Sequence, residues 1–139
     1  MNVEEILNKD GFDVIFSLAG TLPATGTNFD VCFPVSRPCE LAKVRVCYSA
    51  ASISGTLQVQ RLTGTTAPGA GTNLFSTAID LSATANTVYE RNETDFVTNA
   101  SRVFVDGDRL SFNDGGVLTG LANLSVTLYF RPVGKGHYR

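Results

Sequence analysis

The sequence predicts an all-β domain, an antiparallel β-sandwich of the jelly-roll type, and three observations favour that fold class. Apolar and polar residues alternate along several short runs, as they do in strands that have one buried and one solvated face. Gly, Asp, Asn and Ser cluster between the runs, at spacings of roughly ten residues. Amphipathic segments that would connect parallel strands as helices are not found between the runs, so the strands are expected to be antiparallel.

A short helix is predicted at the N-terminus. Val3, Ile6 and Leu7 stand at positions i, i+3 and i+4, which puts their side chains on one face of a helix. Residues 1–11 are therefore expected to form an arm that is broken at Asp10-Gly11. Because so short a helix is marginally stable alone, its apolar face is expected to lie against its own sheet or against a neighbouring molecule.

Residues 12–134 are predicted to form the sandwich domain, and residues 135–139 a C-terminal tail. The clearest alternation predicts strands at 13–18, 29–35, 43–48, 57–60 and 124–131. Shorter runs predict further strands at 79–81, 87–89, 102–105 and 109–112. Turn residues predict breaks at 24–27, 54–55, 106–108 and 113–116.

Charge is scarce in this chain, and its two signs nearly balance. Charged residues make up 17% of the 139 positions, against about 25% in an average protein. A surface so poor in charge repels copies of itself only weakly and favours packing against a partner. The net charge of −2, with 11 basic residues spread among 13 acidic ones, argues against binding to nucleic acid. No stretch reaches the roughly 18 apolar residues of a membrane-spanning helix, so no membrane contact is expected.

Residues suited to catalysis or metal binding are few. The only histidine in the sequence is His137, close to its end, so neither a histidine-based metal site nor a Ser-His-Asp or Cys-His catalytic group is expected. Cys32, Cys39 and Cys47 lack the spacing of zinc ligands and are predicted to be reduced, mostly packed thiols, with a Cys32–Cys47 disulfide as the minor alternative. The sequence therefore predicts a protein that is not an enzyme and that carries no cofactor or metal.

Two clusters of carboxylates leave alternatives open. The candidate calcium site consists of Asp106, Asp108 and Asp114, and the candidate glycosidase pair belongs to a cluster of Glu90, Glu93 and Asp95. Asp-Gly and Asn-Asp-Gly-Gly are also ordinary turn sequences, with Arg109 placed to neutralise one acid, and Arg91 lies within the second cluster. Turn chemistry and a solvated loop are the favoured interpretations.

Sugar recognition is a further alternative, because carbohydrate-binding sandwiches expose aromatic rings. The chain has no Trp, and most of its nine Phe fall on the apolar side of the alternation, where burial in the core is expected. Tyr48, Tyr89, Tyr129 and Tyr138 remain as candidate rings.

The segment between Arg61 and Asp80 carries eighteen consecutive uncharged residues. A loop of more than about ten residues is unusual in a compact domain unless a contact orders it, and Thr, Gly and Ala let another backbone approach without removing water from a charge. Residues 63–73 are therefore predicted to face protein, with a flexible loop exposed to solvent as the alternative. The candidate contact residues are Thr63, Thr65, Thr66, Ala67, Pro68, Ala70, Thr72 and Asn73, together with Val3, Ile6 and Leu7 of the arm.

Three stretches between about residues 55 and 134 carry a family resemblance: LQVQRLTGTTAPGAGTNLFSTAIDLSATANTV, FVDGDRLSF and LANLSVTLYFRPVG. Their order is a strand, a TGTTAPGAGT-like loop, a DLSxTANTV-like segment, a GDRL hairpin and a closing hydrophobic strand. In this order they resemble small β-rich virion proteins of tailed bacteriophages, many of which are capsid decoration (cement) proteins.

That resemblance implies a structural role in a virion. A decoration protein binds the major capsid protein on the outer surface of the capsid and stabilises the head, and symmetric assembly as a homotrimer lets several weak contacts act together. The chain is then expected to be made in the cytoplasm of the bacterial host and to end in the virion, at the capsid surface. The alternative is a tail or head-fibre component with a carbohydrate-binding β-sandwich. No attachment residue can be carried over from the family.

Overall fold

The computed structural model describes residues 11–21, 32–35 and 37–133, and in this part of the chain two antiparallel sheets pack face to face. The prediction of an all-β antiparallel sandwich is confirmed. The predicted N-terminal helix, with Val3, Ile6 and Leu7, lies outside the described residues, and so does the predicted tail at 135–139.

The described ranges contain ten strands. They are β1 (Phe12–Thr21), β2 (Cys32–Pro34), β3 (Cys39–Cys47), β4 (Thr56–Leu62), β5 (Thr72–Asn73), β6 (Ile79–Asp80), β7 (Tyr89–Arg91), β8 (Val103–Phe104), β9 (Arg109–Gly115) and β10 (Ala122–Pro132). The first sheet has the order β1-β10-β3-β7, with β8 also paired with β3, and the second has the order β2-β9-β4-β5, with β6 also paired with β4. Strands β1 to β4 alternate between the sheets, which is compatible with a jelly roll; the jelly roll stays a prediction.

Alternation along the strands decides which side chains enter the core. In β10, every second residue from Leu124 to Phe130 is buried, and the residues between them are half-buried on the outer face. In β1 the same period places Phe16 toward the core and Ile15 outward, where Ile15 is 65% exposed. The period-two pattern therefore predicted the correct face for these strands.

The core between the sheets consists almost entirely of aliphatic and aromatic side chains. The largest fully buried ones are Tyr48, Phe75, Phe104, Phe112, Leu41, Leu57, Leu62, Leu74, Ile79, Leu81, Leu110 and Leu118. Each such side chain stabilises the fold by roughly 1.5–3 kcal/mol relative to an exposed position. The sandwich is therefore held by packing, and its three cysteines are free thiols.

The cysteines match the sequence prediction in part. Cys39 is buried and Cys47 is half-buried, as expected of packed thiols, but Cys32 is exposed. Cys32 is exposed because it begins the edge strand β2, in which Phe33 is the half-buried residue between two exposed neighbours. The alternative Cys32–Cys47 disulfide is not formed.

The predicted turn at 113–116 is wrong for three of its four positions. Asn113, Asp114 and Gly115 are the last residues of β9 and pair with β4, with Asp114 opposite Leu57. The neighbouring strand β4 extends far enough to satisfy their backbone groups, and this pairing overrides the local turn propensity. The chain then bends at Gly116, whose φ is +68°.

Several short elements also differ from the prediction. Strand β5 lies inside the segment predicted as a loop, and two 3₁₀ helices, Glu93–Asp95 and Ala100–Arg102, precede β8. The strand predicted at 87–89 is found two residues later, as β7. No helix in the described ranges is long and apolar enough to cross a membrane.

One flank of the sandwich is here termed the closed side. There, backbone hydrogen bonds join two connecting segments, residues 74–76 and residues 95–97. Phe75 and Phe96 form an isolated antiparallel bridge. Around it, the Ser76 amide donates to the Asp95 carbonyl at 2.9 Å, and the Val97 amide donates to the Leu74 carbonyl at 2.8 Å. These bonds connect the chain after β5 to the chain before β8.

The opposite flank, here termed the open side, is formed by β1 and β2, the terminal strands of the two sheets as described. Across it the contacts on the core side are between aromatic rings. Phe16 lies 6.4 Å from Phe33 in a T-shaped arrangement, and both rings pack on Phe112, at 5.1 and 6.0 Å. The ring of Phe16 from the first sheet thus contacts two rings of the second sheet.

Candidate interaction loop

The uncharged segment singled out in the sequence is the connection between β4 and β5. Residues 63–71, here termed the neutral loop, leave β4 after Leu62 and return to pair as β5 with the same strand, Asn73 opposite Gln60 and Thr72 opposite Arg61. The neutral loop is therefore the tip of a β-hairpin, and both its ends are fixed by one ladder.

Two tight turns shape the neutral loop. The Thr66 amide donates to the Thr63 carbonyl at 3.1 Å, and the Ala70 amide donates to the Ala67 carbonyl at 3.0 Å. Gly64 and Gly69 have φ values of +57° and +91°, a backbone region that glycine occupies without strain. The glycine content of the segment thus serves its turns.

Gln60 holds the loop from beneath. Its side chain is 2% exposed, although it occupies a polar position of β4. Its Oε1 accepts hydrogen bonds from the amides of Gly69 (3.0 Å) and Gly71 (3.3 Å), and its Nε2 donates to Asn73 Oδ1 at 2.7 Å. One buried amide therefore connects both ends of the second half of the loop to the strand.

Arg109, the first residue of β9, holds the first half of the loop. Its Nη2 donates to the carbonyls of Gly64 (2.8 Å) and Thr66 (2.9 Å), and its Nη1 lies 3.7 Å from Cys32 Sγ. The sequence interpretation gave Arg109 the task of neutralising an acid of the adjacent turn. In the structure it satisfies loop carbonyls, which are acceptors that sequence alone does not reveal.

The contact residues predicted for this segment form the exposed surface of the hairpin tip. Thr66 is half-buried, and the remaining candidates, Thr63, Thr65, Ala67, Pro68, Ala70, Thr72 and Asn73, are exposed. Gly71 lies directly on Leu62, where an added Cβ would stand 2.7 Å from the Arg61 carbonyl oxygen. The tip is thus a preformed and uncharged surface. Val3, Ile6 and Leu7 lie outside the described residues.

Two aspartates of the candidate calcium cluster have structural places, Asp108 in a turn and Asp114 in a strand. Asp108 is buried, and its Oδ2 accepts a hydrogen bond from the Val105 amide at 3.0 Å, while its own amide donates to the Val105 carbonyl. Gly107 between them has a φ of +91°. Asp114 belongs to β9, and in the described ranges no group of three or more His, Cys, Asp or Glu residues is placed to hold a metal ion.

The second carboxylate cluster is likewise engaged in structural contacts. Glu90 pairs with Arg45 at 2.9 Å, and Glu93 pairs with Arg131. Asp95 Oδ2 accepts from the Asn92 amide at 2.8 Å and completes a capping box at the start of the first 3₁₀ helix. The glycosidase interpretation therefore gains no support from this geometry.

Glu93 also belongs to a network of ion pairs that extends to β3. Glu40 accepts two hydrogen bonds from Arg131, at 3.0 and 2.6 Å, and lies 3.9 Å from the buried Arg102. Burial of Arg131 opposes its charge, but the hydrogen bond and attraction of Glu40, with the help of Glu93, outweigh it and raise the pKa of the guanidinium. The network joins β3 and β10 to the 3₁₀ helices and is structural in character.

The tyrosines do not form an exposed platform in the described part of the chain. Tyr48 is buried, donates to the Ala83 carbonyl at 3.1 Å, and stacks on the half-buried Tyr89 at 5.9 Å; burial raises its pKa to about 12. Tyr129 is half-buried on the outer face of β10. Tyr138 and His137 lie outside the described residues.

Comparison with known proteins adds no relative to this picture. No protein-family model matches the sequence, and no curated protein matches it either. In the described residues, the uncharged hairpin tip with its hydrogen-bonded backbone has a geometry suited to binding another surface. Gln60 and Arg109 were missed as its supports, although two glutamines at alternate positions of one strand (Gln58 and Gln60) are a usable signal for side chains that bind a neighbouring backbone.

Proposed function

We propose that this protein is a non-enzymatic structural component of a bacteriophage virion, which binds the outer surface of the capsid through the neutral loop and stabilises the head. The observation that carries the proposal is the construction of the loop: nine residues without charge are held by Gln60 and Arg109 from within the domain. The sequence resemblance to capsid decoration proteins supplies the identity of the partner, the major capsid protein.

A preformed loop binds at a lower entropic cost than a flexible one. Ordering a mobile backbone costs roughly 1–2 kcal/mol per residue, and that cost reduces affinity if it arises on binding. The hydrogen bonds to Gly64, Thr66, Gly69 and Gly71 order the loop during folding, so this entropic cost does not arise on binding. The loop is thus suited to repeated, identical contacts.

The lack of charge suits the same task. Burying a charge against a partner requires a matched counter-charge, and otherwise costs several kcal/mol. Thr, Ala and Pro side chains need no such match, so the surface tolerates close approach of a backbone. Several weak contacts of this kind act together when the protein assembles symmetrically, and a homotrimer is the arrangement that we favour.

The proposal is tested with purified protein and purified capsids of the parent phage. We expect wild-type protein to sediment as an oligomer of trimer mass, to bind shells stoichiometrically, and to raise the temperature at which the shells release their DNA. Thr65→Glu, which introduces a charge at the exposed tip, is expected to reduce shell binding at least tenfold without changing the fold.

The matched control is Thr84→Glu, the same substitution at an exposed position outside the neutral loop. Its shell binding should equal that of wild type. Equal binding by Thr65→Glu and wild type would rule out the loop as the contact. No shell binding by the wild-type protein, together with glycan binding that depends on a tyrosine, would favour the tail or head-fibre alternative.

A further inference from the structure

Two connections lie side by side at the end of the sandwich opposite the neutral loop. They are residues 48–55, between β3 and β4, and residues 116–121, between β9 and β10. They meet because Thr56, the first residue of β4, pairs with Gly115, the last residue of β9. Since β4 leads from this end to the neutral loop, the two ends are separated by roughly 20 Å of strand. The surface formed by the two connections is here termed the distal surface.

Hydrogen bonds between the two connections fix the distal surface. The Ser54 amide donates to the Val117 carbonyl at 3.1 Å, and the Val117 amide donates back to Ser54 Oγ at 3.1 Å. Ala50 forms an isolated antiparallel bridge with Ala122, directly after the second connection. Gly116 is packed so closely on Ser54 that an added Cβ would overlap with the Ser54 carbonyl oxygen. The distal surface is therefore ordered before a partner binds, so binding costs little further backbone entropy.

The distal surface exposes large apolar side chains. Ile53 is 68% exposed and Val117 is 42% exposed. The hydrogen bonds of Ser54 hold the backbones of these two residues close together, so both belong to one region of the surface. Single apolar residues are common on protein surfaces, but a group of exposed apolar residues is typical of a site that another protein covers.

The distal surface also lacks charge. Neither connection contains a charged residue, and each lies within a longer uncharged stretch, of 15 residues at 46–60 and of 16 residues at 115–130. The end with the neutral loop is different, because Asp106 and Asp108 precede Arg109, which contacts the loop. The distal surface thus combines exposed apolar side chains with a lack of charge that extends into the adjoining strands.

We propose that the distal surface binds the distal surfaces of further copies of this chain, and that the protein oligomerises through this contact. Around a rotation axis, each group near the axis meets the same group of the other copies. A charge at that place would face identical charges, which repel each other. An uncharged apolar surface is complementary to copies of itself, whereas an unlike partner tolerates charges if it carries the opposite ones. The lack of charge therefore favours a second copy as the occupant.

The inference rests on the proposed function for the number of copies, and it states where the subunits of the proposed homotrimer meet. Copies that converge at their distal surfaces keep their neutral loops at the far ends of their β4 strands. Several neutral loops are then presented to a shell together, as multivalent binding requires. The self-association itself is measured without capsids.

The experiment measures the self-association of the full chain by sedimentation velocity, under reducing conditions because Cys32 is an exposed thiol. Ile53→Glu places a charge at the proposed contact, and we expect the dissociation constant of the oligomer to rise at least 100-fold. The matched control is Ile15→Glu, at an isoleucine that is 65% exposed on the outer face of β1. This variant should associate as wild type does, and circular dichroism of both variants should show the wild-type sheet content.

Three results of this experiment would overturn the proposal. One is a monomeric wild-type protein, and the second is equal association of Ile53→Glu and wild type. The third is equal weakening by Ile53→Glu and Ile15→Glu, which would show an effect of added charge that does not depend on its place.

A mixing experiment distinguishes a contact between like surfaces from a contact between unlike ones. Ile53→Lys alone should dissociate the oligomer as Ile53→Glu does. A mixture of the two variants should associate at least tenfold more tightly than either variant alone, because opposite charges then meet near the axis, and added salt should reduce this recovery. Without recovery in the mixture, residue 53 would face a different surface, such as the neutral loop of another copy, and the contact between like surfaces would be wrong.

The failure of this inference and the failure of the proposed function give different results. An oligomer that depends on Ile53 but binds no capsid would support the contact and contradict the function. A monomer that binds capsids and stabilises them would support the function and overturn the contact.

Discussion

The two sheets are joined by different kinds of contact at the closed side and at the open side of the sandwich. On the closed side, backbone hydrogen bonds around the Phe75–Phe96 bridge join the two sheets, and Arg61 adds hydrogen bonds to the carbonyls of Ala100, Ser101 and Val103. On the open side, β1 and β2 meet through phenylalanine rings. In the described ranges, the contacts across the closed side therefore include directional hydrogen bonds, whereas those across the open side are contacts between rings.

This difference indicates where the molecule is able to accept a further element. Backbone N–H and C=O groups that are already bonded to each other are not free to bind a new segment. A flank closed by half-buried rings still has apolar surface to bury, and long edge strands such as β1 are the usual sites of strand addition. A partner would therefore bury more apolar surface at the open side than at the closed side.

The largest expected effect comes from the same substitution on each side. Phe75→Ala removes a ring that is 2% exposed and should lower the free energy of unfolding by about 3–5 kcal/mol. Phe33→Ala removes a half-buried ring of the open side and should lower it by about 1–2 kcal/mol. Denaturant unfolding of both variants measures the difference.

Phe→Leu at each position serves as the control, because it keeps most of the apolar volume and is expected to cost less than about 1.5 kcal/mol on either side. Equal losses for Phe75→Ala and Phe33→Ala would mean that the open side is as well packed as the closed side, and the comparison would fail.

A second prediction uses pH to examine the packing around the buried Cys39. Burial raises the pKa of the Cys39 thiol from 9.0 to about 11. Since the folded state holds the thiol proton more tightly than the unfolded state, this contribution is complete below pH 9 and is lost as pH rises toward 11. A shift of this size corresponds to about 2–3 kcal/mol.

The measurement is denaturant unfolding under reducing conditions at pH 8 and pH 11, for wild type and Cys39→Ala. Wild type should lose about 2–3 kcal/mol more than the variant between these pH values. The exposed Cys32 offers a matched control, and Cys32→Ala should follow wild type. An identical decline in wild type and Cys39→Ala would show that water reaches the thiol.

A third prediction concerns the neutral loop, which follows the closed-side strategy of directional bonds. Gln60→Ala removes the acceptor of the Gly69 and Gly71 amides and should lower the free energy of unfolding by about 1–3 kcal/mol. The two amides should also exchange with solvent at least tenfold faster. Gln60→Glu keeps an acceptor oxygen, so the Gly69 amide should stay protected; exchange as fast as in Gln60→Ala would contradict the role given to Oε1.

The fold was predictable where side chains alternate, and less so where backbone pairing decides. Period-two alternation predicted the long strands β1, β3, β4 and β10, because each has one buried face. It missed β5, whose two residues are both exposed and pair with β4. The end of β9 was misassigned for the related reason that its pairing partner lies far away in the sequence.

The candidate loop was located from its lack of charge, but its supports were not. Gln60 reaches the loop from β4, the hairpin's own strand, and Arg109 reaches it from β9, a strand distant in sequence. Sequence spacing carries no information on which carbonyl an arginine will meet across 45 residues. The residues that form a surface were therefore easier to predict than the residues that hold it.

The smallest effect is expected from an exposed ion pair on the closed side. Arg45 of β3 donates to Glu90 of β7 at 2.9 Å, but the Arg45 side chain is 55% exposed and its charge is screened by water. Arg45→Met should therefore change the free energy of unfolding by less than about 1 kcal/mol. Arg131→Met is the matched variant at a pair with a largely buried glutamate, Glu40, and should cost more. Denaturant unfolding of both variants measures the two losses of free energy of unfolding. Equal losses would mean that the Arg45–Glu90 ion pair, rather than the backbone ladder with β3, holds β7 in place. Backbone hydrogen bonds would then not be the main support of the closed side.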